Sequence, residues 1–328
     1  MISSLCLRCS DNEIQAPPAT SVLYIEMYDS ADIVILGFGV QSMSTPAKST
    51  PGGPLVAIGG AEDKTSEAEI LRRVLSLSKK DAPVVGVITT ASSVPDDVFG
   101  EYHEVFSGLG ASEVLDIRIR ERSDAASEQF VEMIRNSDIV FISGGDQMRL
   151  TNILGGSPVL ETIRAQRQSG TVIAGTSAGA ACQSQTMVYG GPATDSLRKG
   201  AVQMAAGFGL VDGIIIDTHF LERGRFSRLM EVGATNPEYL GVGLGEDAAV
   251  LFEGDVMRAF GPGHVIIVDS SQISGSNVFE LSDGEAVTVH NVIMHALVDG
   301  YGFNLKDRRV LGPDELRAAG LEHWIANS

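Results

Sequence analysis

Basic residues are in short supply. The 328-residue chain carries 24 Lys and Arg against 42 Asp and Glu, a formal net charge of −18. A nucleic-acid binder needs cationic groups to displace counterions from phosphates, so this balance excludes that class. It equally gives no anchor for an anionic membrane surface. Apolar runs are also short, and none reaches the roughly 18–20 residues of a membrane span. Residues 33–38 are apolar, but Glu26, Asp29 and Asp32 precede them where a secretion signal carries basic residues. Cysteine is scarce too: Cys6, Cys9 and Cys182 are too few for a disulfide framework and point to a reducing, cytoplasmic compartment. Cys6-Leu7-Arg8-Cys9 has no second pair and reads as a chance C-x-x-C rather than a metal site. Aromatic residues make up only 6%.

Glycine is what the chain has in plenty, 37 residues of it, which fits tight turns and close contacts between helices and a sheet. Residues 1–53 read as a flexible N-terminal extension, with proline-rich, linker-like stretches at 16–19 and 44–53 and a possible edge strand at 31–40. Residues 54–328 read as a single α/β catalytic domain. Short apolar strands are expected at 55–58, 84–89, 113–117, 138–142 and 171–174. Helices are expected between them at 66–80, 96–109, after Ser123-Asp124, and at 158–168. This alternation predicts a mostly parallel sheet covered on both faces, with its site beyond the carboxyl ends of the strands. Residues 188–213 are glycine-rich and give no clear pattern. A strand at 214–217, an arginine-rich helix at 222–232 and several short strands up to residue 268 follow, with hairpin turns expected at Gly254-Asp255 and Gly261-Pro262-Gly263. This β-rich half is expected to extend the sheet.

Gly175-Thr176-Ser177-Ala178-Gly179 is a G-x-S-x-G between an apolar strand and a run of small residues. Strand, tight turn and helix are the setting of a nucleophile elbow, in which the turn lifts a serine hydroxyl clear of the sheet. A serine nucleophile needs a base, and the base needs an orienting acid. Of six histidines, only His219 directly follows an apolar strand, the same kind of position as Ser177. His103 lies among helical acidic residues, His264 in a turn, His290 and His295 in a late strand without a third ligand nearby, and His323 in the tail. For the acid, Glu246 at a strand end and Asp217 two residues before His219 remain level. Backbone N–H groups of Ala178 and of the Gly144-Gly145 loop could hold an oxyanion.

Five ordered motifs together resemble the cyanophycinase family, serine peptidases related to dipeptidase E. They are Val56-Ala-Ile-Gly-Gly-Ala-Glu-Asp-Lys64, Phe141-Ile-Ser-Gly-Gly-Asp-Gln-Met-Arg-Leu150, Gly175-Thr-Ser-Ala-Gly-Ala180, Asp217-Thr-His-Phe-Leu-Glu-Arg-Gly-Arg-Phe-Ser-Arg228 and Gly241-Val-Gly-Leu-Gly-Glu-Asp247. The resemblance spans residues 54–270. It implies a flavodoxin-like α/β fold similar to class I glutamine amidotransferases, a homodimer, and no metal or cofactor. It implies Ser177 as nucleophile, His219 as base and Glu246 as acid, with Gly145 and Ala178 forming the oxyanion hole. Gln147, Asp217, Thr218, Arg223, Arg225 and Arg228 match positions that shape the substrate pocket. The implied substrate is cyanophycin, a polyaspartate backbone with arginine on each β-carboxyl, released as β-aspartyl-arginine dipeptides. Arg225 or Arg228 would bind a substrate carboxylate, and Asp217 and Glu222 its guanidinium. One departure stands out: the family reads Asp-Gln-His where this chain has Asp217-Thr218-His219, which leaves open a small aspartyl peptide as substrate. Two rivals follow. A dipeptidase of the E type places its acid soon after the nucleophile, where this chain offers only Asp195. A catalytically silent binding module would have no use for an intact Ser, His and Glu. A class I amidotransferase is disfavoured because its nucleophile is Cys.

Overall fold

The computed structural model describes residues 50–321. The readings made for residues 1–49, including Cys6, Cys9 and the 31–40 strand, and for His323 lie outside them. Among the described residues, Thr50–Gly53 belong to the first strand, so it reaches four residues before Pro54.

The first half alternates as its sequence predicts. β1 (Thr50–Ile58), β2 (Val84–Ile88), β3 (Glu113–Asp116), β4 (Ile139–Ile142) and β5 (Val172–Thr176) run parallel, in the spatial order β3-β2-β4-β5-β1. Between them lie α1 (Glu69–Ser76), α2 (Pro95–Gly108), α3 (Glu128–Arg135), α4 (Gln147–Leu154) and α5 (Pro158–Gln168). β1 shows why its sequence is apolar throughout. Leu55 and Ala57 enter the core on one face of the sheet, Val56 and Ile58 the core on the other, as burial on both faces requires.

Two local readings need correction. α1 is shorter than residues 66–80, because the Asp63 carboxylate accepts hydrogen bonds from the backbone N–H groups of Thr65, Ser66 and Ala68 and holds them in a turn. α4 was not anticipated. Its start is capped by Asp146, which accepts from Met148 and Arg149 N–H, and Leu150 and Leu154 form its buried stripe.

After β5 come a four-residue helix α6 (Ala178–Ala181) and an antiparallel pair, β6 (Thr186–Gly190) and β7 (Gln203–Ala206), in the stretch whose sequence gave no pattern. Next are β8 (Ile214–Thr218), α7 (Phe226–Thr235), β9 (Leu240–Leu244), β10 (Ala249–Gly254), β11 (Val256–Phe260) and β12 (Val265–Asp269). A short pair β13 (Gly275–Ser276) and β14 (Val289–His290), then β15 (Ile293–Leu297), β16 (Gly302–Asn304), β17 (Arg309–Leu311) and α8 (Pro313–Ala318) complete the described chain. The β-rich half extends the main sheet only in part. β10, β11, β16 and β17 add antiparallel strands beyond β1, whereas β8, β9, β12 and β15 build a second, four-stranded sheet. Gly254 and Asp255 do sit at a hairpin turn, between β10 and β11. Gly261-Pro262-Gly263 does not: it carries the chain from β11 in one sheet to β12 in the other.

Candidate active site

The loops after β1, β4 and β5 are neighbours because β1 and β4 flank β5 in the sheet. The ends of β8 and β9, in the second sheet, meet the same place. The link is Gly59-Gly60. Ser177 N–H donates to Ile58 O, His219 N–H to Gly59 O and Asp247 N–H to Gly60 O, at 2.9, 2.9 and 3.0 Å. Gly59 N–H donates in turn to Ala248 O. One turn thus fixes the backbone of three segments. Only glycine fits there: a Cβ on Gly60, whose φ is +102°, would stand 2.4 Å from the His219 ring, and one on Gly59 would meet Gly245 O at 1.9 Å.

Ser177 follows β5 in a sharp turn, at φ 50° and ψ −111°, before α6 begins at Ala178. Ala61, His219 and Asp247 also have positive φ. Strain of this kind costs about 1–3 kcal/mol per residue and gathers at functional sites; four of the seven such non-glycine residues among the described ones lie around this turn. The side chains form a continuous chain. Ser177 Oγ is 2.9 Å from His219 Nε2, and His219 Nδ1 is 2.7 Å from Glu246 Oε1. An ionised carboxylate can only accept, so Nδ1–H donates to Glu246 and Nε2 is left to accept from the Ser177 hydroxyl. The imidazole is mostly shielded, with 13% of its side chain exposed against 39% for Glu246. Of the two acids the residue pattern left level, Glu246 is the one in contact with the histidine.

Asp217 has other partners. It is 3% exposed and forms ion pairs with Arg225 at 2.9 Å and Arg228 at 3.1 Å. Burial pushes the carboxyl above its ordinary value against the pull of both guanidiniums, and burial lowers Arg228. The expectation that Asp217 meets a substrate guanidinium, and that Arg228 meets a substrate carboxylate, does not fit these surroundings: the two groups face each other. Arg225 also donates to Thr218 O, and Thr218 is buried at the end of β8. Nor do the arginines share a helix, since α7 begins only at Phe226 and leaves Arg223 and Arg225 in the preceding turn. Arg223 is exposed. Glu222 accepts from Glu246 N–H and so braces the acid's loop. Gln147, the first residue of α4, donates to Val188 O and Tyr189 O at 3.3 and 3.5 Å. Gly145 has φ +140° and packs its Cα against Ala91 O, where a Cβ would clash at 2.2 Å. Ala178, at the start of a helix, has an N–H without an intrahelical acceptor.

Two residues at the site escaped the sequence reading. Glu62 is 4% exposed. It accepts from Tyr102 Oη at 2.5 Å and from Thr176 Oγ1 at 2.6 Å, and so ties the residue before Ser177 to α2. Burial and the adjacent Glu62 charge push the Tyr102 phenol well above its ordinary range. Glu62, Tyr102, Lys64, Glu101 and Gly144 line a cavity of about 250 Å³ with Ser177 and His219. The only sequence signal was the carboxylate two residues beyond Gly59-Gly60.

Residues 55–260 match the model of peptidase family S51. The chain belongs to that family. This S51 peptidase is 38% identical over 259 residues to a cyanophycinase from Nostoc sp. strain PCC 7120, covering 78% of this chain and 87% of the relative. It is 35% identical over 271 residues to a cyanophycinase from Synechococcus elongatus, covering 82% and 84%. A solved peptidase from an acI-B1 Actinobacterium shares the fold, with a TM-score of 0.57 at 20% identity over 78% of this chain and 98% of that one. No helix among the described residues of the S51 peptidase is long and apolar enough to cross a membrane.

Proposed function

We propose that this S51 peptidase hydrolyses the aspartate backbone of cyanophycin through an acyl-enzyme and releases β-aspartyl-arginine dipeptides. The observation that carries this reading is the hydrogen-bonded chain from Ser177 through His219 to Glu246 at the wall of a cavity. Ser177 Oγ attacks the backbone carbonyl while His219 Nε2 takes its proton. Glu246 holds the tautomer and stabilises the imidazolium that forms. The N–H groups of Ala178 and Gly145 receive the oxyanion, and His219 passes its proton to the leaving amine. Water then repeats the sequence on the ester. The turn at Ser177 acts as a nucleophile elbow. Exposed Arg223 is the arginine available to a substrate carboxylate, with Arg225, Arg228 and Asp217 as the braced frame beside it. In this reading the enzyme works without metal or cofactor, as a cytoplasmic homodimer.

The test is digestion of cyanophycin with Ser177→Ala as control, together with α- and β-aspartyl dipeptides. Release of β-aspartyl-arginine by the wild type alone, with Ser177 labelled by a serine-directed reagent, is the expected outcome. Cleavage of small aspartyl peptides only would move the assignment to a dipeptidase. No labelling and no turnover would leave a silent binding module.

A further inference from the structure

A larger space adjoins the catalytic cavity. An open groove of about 830 Å³ runs between the 62–66 turn with α1 on one side and α2 on the other. Glu62, Lys64 and Glu101 line both spaces, so the groove lies next to the cavity that holds the serine. Its two walls carry different charged groups. The turn and α1 side has both signs, Lys64 and Arg72 beside Glu62 and Asp63; of these acids Glu62 is buried against Tyr102 and Thr176, and Asp63 is engaged by the turn's own N–H groups. On the α2 side stand Glu101 and Glu104. Across the gap Lys64 and Glu101 approach only to 3.8 Å, with 25% and 61% of their side chains exposed. A pair this long and this wet contributes little and exchanges readily for a ligand's charges. The Lys64 wall is nonetheless fixed in place. The Asp63 carboxylate gathers the turn's N–H groups, and Lys64 Nζ lies 5.0 Å from the centre of the Tyr102 ring.

Resting on the cyanophycin reading, we propose that this groove is an extended subsite for the uncleaved part of the polymer. Each arginine arm of that polymer is a zwitterion. Its amine is consumed in the bond to the aspartate β-carboxyl, so it keeps one α-carboxylate and one guanidinium. Solvent-accessible cations on one side and exposed carboxylates on the other suit such arms: carboxylates to Lys64 and Arg72, guanidiniums to Glu101 and Glu104. A groove of one sign would repel half of every arm. The length is also adequate. From Glu101 to Gly108, the α2 wall rises about 10 Å at about 1.5 Å per residue, which spans about three extended backbone residues at roughly 3.3–3.6 Å each. The groove therefore makes the protein a reader of polymer rather than of isolated dipeptide.

The experiment measures binding of cyanophycin oligomers of increasing length to Ser177→Ala protein, where no turnover confuses the result. Affinity is expected to rise stepwise beyond the two-unit oligomer and to level off once about three further units are held. Glu101→Gln combined with Glu104→Gln, and separately Arg72→Glu, should weaken long oligomers about three- to tenfold more than the shortest one. These side chains are exposed, and melting temperatures of the variants serve as the folding control. Affinity independent of length, or equal losses at every length, overturns the subsite while leaving the hydrolase reading intact. Absence of cyanophycin cleavage by the wild type overturns that reading and the subsite with it.

Discussion

Gly60→Ala tests how far the histidine depends on one turn. The new Cβ would lie 2.4 Å from His219 Cε1 and 2.6 Å from Nε2. Carbon atoms settle at about 3.5 Å or more, so the ring or the turn must give by about 1 Å. The turn has little room to move, because Gly59 O, Gly60 O and Ile58 O each accept a hydrogen bond from the segments they align. The ring therefore moves, and the 2.9 Å contact to Ser177 opens beyond hydrogen-bonding distance. A misplacement near 1 Å costs on the order of 100-fold in rate, about 2.7 kcal/mol of barrier. Alanine at φ +102° adds about 1–3 kcal/mol of strain to the folded state. At roughly 2–4 °C per kcal/mol for a chain somewhat smaller than this one, the melting temperature should fall by several degrees. The assay pairs kcat on cyanophycin with thermal denaturation, and Gly144→Ala is the milder comparison, since its Cβ would come no nearer than 3.2 Å to any atom, with Ser177 Cβ the nearest. Gly60→Ala protein that folds and retains kcat within twofold of the wild type would refute the reasoning.

Further consequences follow from the charges around the site. Asp217→Asn removes the carboxylate shared by two mostly buried arginines and should cost about 3–5 kcal/mol of stability, measured by urea unfolding, because unpaired buried charge is left behind. Glu246→Gln keeps a contact to Nδ1 but not the charge opposite the imidazolium, so kcat should fall by about 100-fold or more with a smaller change in KM. Asp63 is held well below its ordinary carboxyl value by hydrogen bonds, first from the Ser66 hydroxyl and then from backbone N–H groups. A lowered acid stabilises the fold above its unfolded pKa of 3.8 and loses that contribution as pH falls towards the folded value. Asp63→Asn should accordingly flatten the decline of melting temperature below about pH 4; an unaltered acid limb would show that the turn contributes nothing there.

Much of this protein can be read from residue order alone. Apolar runs of four or five residues alternating with amphipathic helices determine parallel strands, because only burial on both faces makes a strand apolar throughout. Glycines and a serine at strand ends mark where the chain must turn sharply, and they locate the site's edge. These signals are local, so they survive without coordinates. What they cannot carry is which distant groups meet. Ser177 and His219 are 42 residues apart and His219 and Glu246 are 27 apart, and they stand on two different sheets. Residue pattern kept Asp217 level with Glu246; the tertiary structure turns Asp217 towards Arg225 and Arg228 and sets Glu246 against the imidazole. It also splits the β-rich half between two sheets, ties Glu62 to the residue before the serine, and sets beside the site a groove where Lys64 and Arg72 face Glu101 and Glu104. Those outcomes depend on long-range pairing and on the space left between packed elements, neither of which has a period in the sequence.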